Sequence, residues 1–138
     1  MALPFTYLTS AALSDVGRRR KNNEDSLVRF PGQGVFCVAD GMGGAQGGEI
    51  ASKAVVDALQ AVFAESQDAP FAVTAASAAR LTARALNRAS QWIKAYADER
   101  GLTGCGSTAV VLVFDRVTPS QACVLHAGDS RAYLYRAG

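Results

Sequence analysis

Asp40 closes the apolar run "FCVAD" and opens onto Gly41 and a loop in which glycine fills five of the eight positions 41–48. Such a loop either cradles a phosphate on its backbone amides or lets a carboxylate hold a cation. A Walker-type loop needs a Gly-Lys-Ser/Thr ending, whereas Lys53 follows Ser52 and precedes an alanine. A dinucleotide fingerprint needs a third glycine where this chain has Gln46. Both nucleotide motifs fail, which leaves the Asp40 carboxylate and the Gly41 carbonyl as oxygen donors that could face one hard cation.

The same pattern recurs twice. "NNED" puts Glu24 and Asp25 immediately before a strand-like run, and "AGDSR" puts Asp129 after Gly128 in a turn between two more. Carboxylates gathered in one cleft raise each other's pKa unless a cation compensates. Donors that are all oxygen point to Mg2+ or Mn2+ and away from zinc or copper. Each piece also has a plainer reading: Asp-Gly suits an ordinary turn, and Glu24 and Asp25 suit a solvated loop. Beside them lies a basic cluster, Arg18-Arg19-Arg20-Lys21, which is either a solvated turn or an anion contact.

Other chemistries find little support. The only histidine, His126, falls within a strand-like run and is expected to be structural, so sites built on several imidazoles are excluded. Cys37, Cys105 and Cys123 form no C-x-x-C pair and no disulfide framework, which fits a reducing compartment, with Cys37 and Cys123 as small core residues. Ser107 and Thr108 have no partnered histidine, and so no route to a nucleophilic hydroxyl.

These residues need a scaffold. With 138 residues, 49% of them apolar, the chain is long enough for one ordinary domain with a buried core. Strands are expected over residues 6–14, 26–30 and 35–39, the last two joined by the turn-like "PGQG". The period then changes. Ile50, Ala54, Val55, Ala58, Leu59, Val62 and Phe63 mark one face of a helix, and a second helix after Pro70 carries Ala78, Leu81, Ala85, Ala89, Trp92 and Tyr96, with Gly101 as its stop. Strand signals return at 108–114, 121–127 and 131–136. Consecutive helices between groups of strands predict an α+β layered fold with an antiparallel sheet. A formal net charge of +2 is too mild for a nucleic-acid or anionic-membrane partner. The N-terminal segment is a poor signal peptide, and no stretch approaches the ~18 apolar residues of a membrane span. A cytoplasmic protein is expected.

Taken in order, "SDVGRRRKNNED", "FCVADGMGGAQGGEIAS", "GCGSTAVVLVF" and "HAGDSRAYLYRAG" resemble the bacterial branch of the metal-dependent, type 2C serine/threonine protein phosphatases. The resemblance covers nearly the whole chain. It implies an antiparallel β-sandwich flanked by helices, with a two-metal Mg2+ or Mn2+ centre at one end. Carried over by position, Asp40 would bridge the two metals and the Gly41 carbonyl would bind one. Glu24 and Asp25 would act directly or through water, and Arg20 would hold the substrate phosphate of a phosphoprotein. Asp129 would serve a third, more weakly held ion. Two divalent ions can activate a bridging water for in-line attack on phosphorus, so no side-chain nucleophile is required. Some members carry histidine in the glycine loop, where this chain has Met42 and Ala45.

The family domain continues well past the position matching Gly138, with further acidic ligands and strands. Residues 1–138 are therefore expected to be the N-terminal part of a single catalytic domain, inactive or nearly so alone and prone to self-association through bare sandwich surface. The alternative is a catalytically dead phosphatase-like module that binds or regulates.

Overall fold

The structure, a computed structural model, describes residues 8–44, 47–65, 74–118 and 120–137. Its elements are β1 (Asp25–Phe30), a 3-10 turn (Pro31–Gln33), β2 (Val35–Met42), α1 (Gly48–Glu65), α2 (Ala75–Arg100), β3 (Gly106–Ser107), β4 (Ala109–Phe114) and β5 (Ala122–Ala127). All strand pairings are antiparallel, in the order β1-β2-β4-β5, with β3 paired to the end of β2. The expected α+β architecture is present.

Alternation of side chains along the strands assigns two faces. Val28, Val35, Cys37, Ala39, Val111 and Val113 lie on one and are buried. Against them pack Ala51, Val55, Leu59 and Phe63 of α1, with Ala78, Ala85, Ala89 and Ile93 of α2. Fully burying a Val, Leu or Phe side chain is worth about 1.5–3 kcal/mol, so this layer is the main source of stability. Burial pushes the Cys37 thiol up to about 12, which makes it an inert core residue as expected. The opposite face, where Leu27 pairs with Val38 and Leu112 with Val124, carries no helix among the described residues. Val38 and Val124 remain about half exposed there. The described residues thus supply one sheet and one helical layer of the expected sandwich.

Local signals set the helix ends. The Thr74 hydroxyl accepts the Ser77 amide at 3.1 Å, capping α2. At the other end Gly101 takes the left-handed conformation (φ 63°), and the Leu102 amide reaches back to the Ala97 carbonyl at 2.9 Å. Asp115, buried just beyond β4, accepts amides from Ala75, Val117 and Thr118, each at 2.7 Å, and so ties the start of α2 to the end of β4.

Four expectations need correction. Residues 6 and 7 of the first expected strand, like Pro70, lie outside the described residues, and 8–14 are not a strand. Residues 131–136 are likewise irregular, with Tyr133, Leu134 and Tyr135 exposed. A strand needs a partner ladder, and neither segment has one among the described residues. Strand β2 runs on through Asp40 and Gly41 to Met42, because its far end is paired with β3. Trp92, expected on the buried face of α2, is half exposed, stacked on Tyr96 at 5.2 Å between ring centroids. Steps of four residues drift about 40° per step around a helix, so Thr82, Ile93 and Ala97 take core positions in its place.

Candidate metal and phosphate site

Asp25 opens β1 and Asp40 lies near the end of β2, and the register puts them directly opposite each other. By alternation both point to the open face of the sheet. Asp25 is raised above the ordinary carboxylate range, first by burial and then by the charge of Asp40 and its hydrogen bond, with Arg20 opposing.

The approach of the neighbouring chain depends on glycine. The Gly41 amide donates to the Glu24 carbonyl at 3.0 Å, which locks the residue before β1 to the end of β2. A Cβ on Gly41 would overlap the Gly48 carbonyl, and one on Gly48 would press into the Glu24 carboxylate. Glycine at position 41 is what lets the end of β2 meet the first turn of α1, while a side chain at position 48 would displace the Glu24 carboxylate. Glu24 consequently lies against the N-terminus of α1, a favourable place for an anion. Its carboxylate also takes the Arg20 guanidinium at 2.5 Å.

The segment before β1 folds over this corner. The Asn23 side chain accepts the Asp25 amide at 3.0 Å and donates to the Ser14 hydroxyl at 2.7 Å. Asp15 caps the Gly17 amide at 2.7 Å. The result is a cleft of about 440 Å3 lined by Arg18, Arg19, Arg20, Glu24, Asp25 and Asp40 among others. A neighbouring cavity of about 250 Å3 shares Asp25 and Asp40 and adds Leu13, Ser14 and Ser130.

Of the residues singled out from the sequence, Arg20, Glu24, Asp25 and Asp40 therefore share one cleft, with Gly41 beside it. Asp129 lies outside the lining of both cavities, in the exposed turn after β5. His126 lies on β5 opposite Val110, also outside them. Among the described residues no group of three or more His, Cys, Asp or Glu side chains is close enough to hold one ion. The donor set nonetheless suits a hard divalent cation: facing carboxylates, one of them raised by burial and then by the charge of the other, a third carboxylate next door, and no nitrogen or sulfur ligand.

Ser107 and Thr108, which have no route to a nucleophilic hydroxyl, have a different part. In the structure they hold the backbone of Asp40. The Asp40 amide donates to the Thr108 hydroxyl at 3.0 Å, and the Asp40 carbonyl accepts the Thr108 amide at 2.8 Å and the Ser107 hydroxyl at 3.2 Å. A hydroxyl pair directly before the apolar run "AVVLVF" was the available signal.

Comparison with known proteins identifies the family and the fold. The Protein phosphatase 2C family matches residues 16–138. The serine/threonine protein phosphatase PstP of Mycobacterium tuberculosis is 33% identical over 138 residues, all of this chain and 25% of that protein. The protein phosphatase PhpP of Streptococcus pneumoniae is 33% identical over 127 residues, 90% of this chain and 49% of that protein. The chain thus spans between a quarter and a half of these relatives. Among solved structures, PppA, described as a key regulatory component of T6SS in Pseudomonas aeruginosa, superposes with a TM-score of 0.76 at 35% identity, covering 88% of this chain and 49% of that one. The catalytic domain of PstP in complex with two manganese ions gives 0.69 at 34% identity, covering 88% and 48%. With its family matched over most of its length and its sheet and helices superposing on solved members, the chain belongs to the protein phosphatase 2C family.

Proposed function

We propose that the chain carries the N-terminal share of a site that hydrolyses phosphoserine and phosphothreonine in proteins, using Mg2+ or Mn2+. The observation that carries this reading is the opposed Asp25–Asp40 pair, set in a cleft with Glu24 on one side and Arg18, Arg19 and Arg20 on the other. Such a cleft offers oxygen donors to cations and guanidinium groups to a phosphoryl dianion.

When bound, the divalent ions supply Lewis acidity and an activated water. Asp40 would hold the ions, with Asp25, Glu24 and the Gly41 carbonyl contributing further oxygens, and Asp129 would serve a third, weaker site. Arg20 would take the phosphate, since its planar fork matches two phosphoryl oxygens at once. In the structure one nitrogen of that fork, Nη1, contacts the Glu24 carboxylate. A cation held on Glu24 would weaken that contact and leave the whole guanidinium to the substrate phosphate. Asn23 and Ser14 hold the segment carrying Arg20 over the cleft.

The test is hydrolysis of p-nitrophenyl phosphate with Mn2+, by the 138-residue chain and by a chimera in which the remainder of the PhpP domain follows Gly138. The chain alone is expected to be inactive or nearly so. The chimera is expected to be active, with Asp40→Asn abolishing turnover while leaving its circular dichroism unchanged. A folded chimera that is inactive, or indifferent to Asp40→Asn, defeats the proposal in favour of a binding module that keeps the fold.

A further inference from the structure

Thr108 lies between the two places where acidic residues meet the end of the sheet. Its backbone amide and side-chain hydroxyl close a ring of two hydrogen bonds on Asp40, at 2.8 and 3.0 Å. The same hydroxyl oxygen lies 2.6 Å from the Ser130 hydroxyl, next to Asp129. Its methyl group meets Gly128 on the other side of Asp129: a Cβ built there would come within 2.8 Å of it, and Gly128 holds φ 90°. One side chain therefore touches the backbone of Asp40 and both residues flanking Asp129.

The hydrogen-bond valences close. A threonine hydroxyl offers one proton and two lone pairs. One lone pair takes the Asp40 amide, which leaves the proton or the second lone pair for Ser130. Thr108 and Ser130 are both partly buried, so water competes only weakly for these bonds. No neighbouring hydroxyl repeats the arrangement: Ser107 bonds the Asp40 and Thr108 carbonyls and makes no bond to the 128–130 turn among the described residues.

We propose that Thr108 is a positioning residue whose hydroxyl couples the strand carrying Asp40 to the turn carrying Asp129, so that the two acidic positions move as one unit. The proposal rests on the metal-site reading for its effect on ion affinity, but the coupling itself is a property of the folded chain. Thr108 is in the lining of neither cavity beside Asp25 and Asp40. It fixes the backbone from which Asp40 projects, and it transmits any shift of the 128–130 turn to that backbone. Outer partners of metal ligands commonly govern affinity in this way.

The variants Thr108→Val, Thr108→Ser, Ser130→Ala and the double Thr108→Val/Ser130→Ala separate shape from hydrogen bonding in the 138-residue chain. Valine keeps the volume and loses the hydroxyl, whereas serine keeps the hydroxyl and loses the methyl group. Two readouts are needed: amide hydrogen exchange at Asp40 by NMR, and Mn2+ titration by calorimetry, both at a temperature where circular dichroism shows each variant folded. Thr108→Val is expected to speed Asp40 exchange and to weaken Mn2+ binding by about 10-fold or more, with Thr108→Ser within about threefold of wild type. Ser130→Ala is expected to show a smaller loss that does not add to that of Thr108→Val.

Equal behaviour of the valine and serine variants, or additive losses at the two positions, overturns the proposal. Should Thr108→Val fail to fold, Ser130→Ala against Ser130→Thr decides the same point: exchange at Asp40 that ignores the loss of the Ser130 hydroxyl overturns the coupling. A wild-type chain that takes no Mn2+ counts against the metal reading alone, because Asp40 exchange still decides the coupling. Mn2+ binding abolished by Asp40→Asn but untouched by Thr108→Val keeps the metal reading and discards the coupling.

Discussion

Two carboxylates in register across neighbouring strands cost free energy when both are charged, and Asp25 bears that cost visibly. Its folded-state pKa is raised, so the stability it contributes is fully present below its unfolded value and is lost as pH rises through the folded value. Once pH has risen past that folded value, the charge on Asp25 weakens the metal-free fold. Asp25→Asn is expected to raise the melting temperature without metal and to reduce the further rise that Mn2+ produces, both read by thermal denaturation. Arg20 makes a different prediction. In the active chimera Arg20→Ala should raise KM by about tenfold or more, and Arg20→Lys should recover only part of this, because an ammonium cannot span two phosphoryl oxygens. The types of these residues were legible from the sequence, and their meeting in one cleft only as what the family resemblance implied. The direct opposition of Asp25 and Asp40 was not, since it depends on a register set by the whole β1–β2 hairpin.

Elements were legible where the signal was local. The hairpin through "PGQG", the apolar face of α1 and the glycine stop of α2 all depend on residues within a turn or two of each other. What escaped depends on distant chain. Asp40 and Gly41 belong to a strand because Thr108 and β3, more than sixty positions later, continue the ladder. Residues 8–14 and 131–136 have the composition of strands, but composition supplies no neighbour to pair with. Asp115 looks like a turn residue in "DRVTPS", yet it also anchors α2 through the Ala75 amide. That bond, then those from Thr118 and Val117, hold its carboxyl below the usual carboxylate range. A lowered folded-state pKa means stability that is present above the unfolded value and lost as pH falls through the folded one. Asp115→Asn should lower the melting temperature at neutral pH and flatten its decline toward acid, measured by circular dichroism across that range.

At the scale of the molecule, the sheet is covered by helices on one side only among the described residues. Val38 and Val124 are half exposed on the other side, and Tyr133, Leu134 and Tyr135 are exposed after β5. Apolar surface of this kind favours association. Sedimentation velocity of the 138-residue chain is expected to show dimers or larger species that shrink on adding mild detergent, and a monomer at all concentrations would contradict this. Val38→Lys should favour the monomer while leaving the helix-covered core intact. Leu27 and Val38 also line the cavity that contains Asp25 and Asp40. Whatever roofs the bare side of the sheet thus builds a wall of the cavity next to the acidic cleft in the same act. A partner layer that fits loosely would be felt first as a leaky ion seat, long before the chain lost its shape.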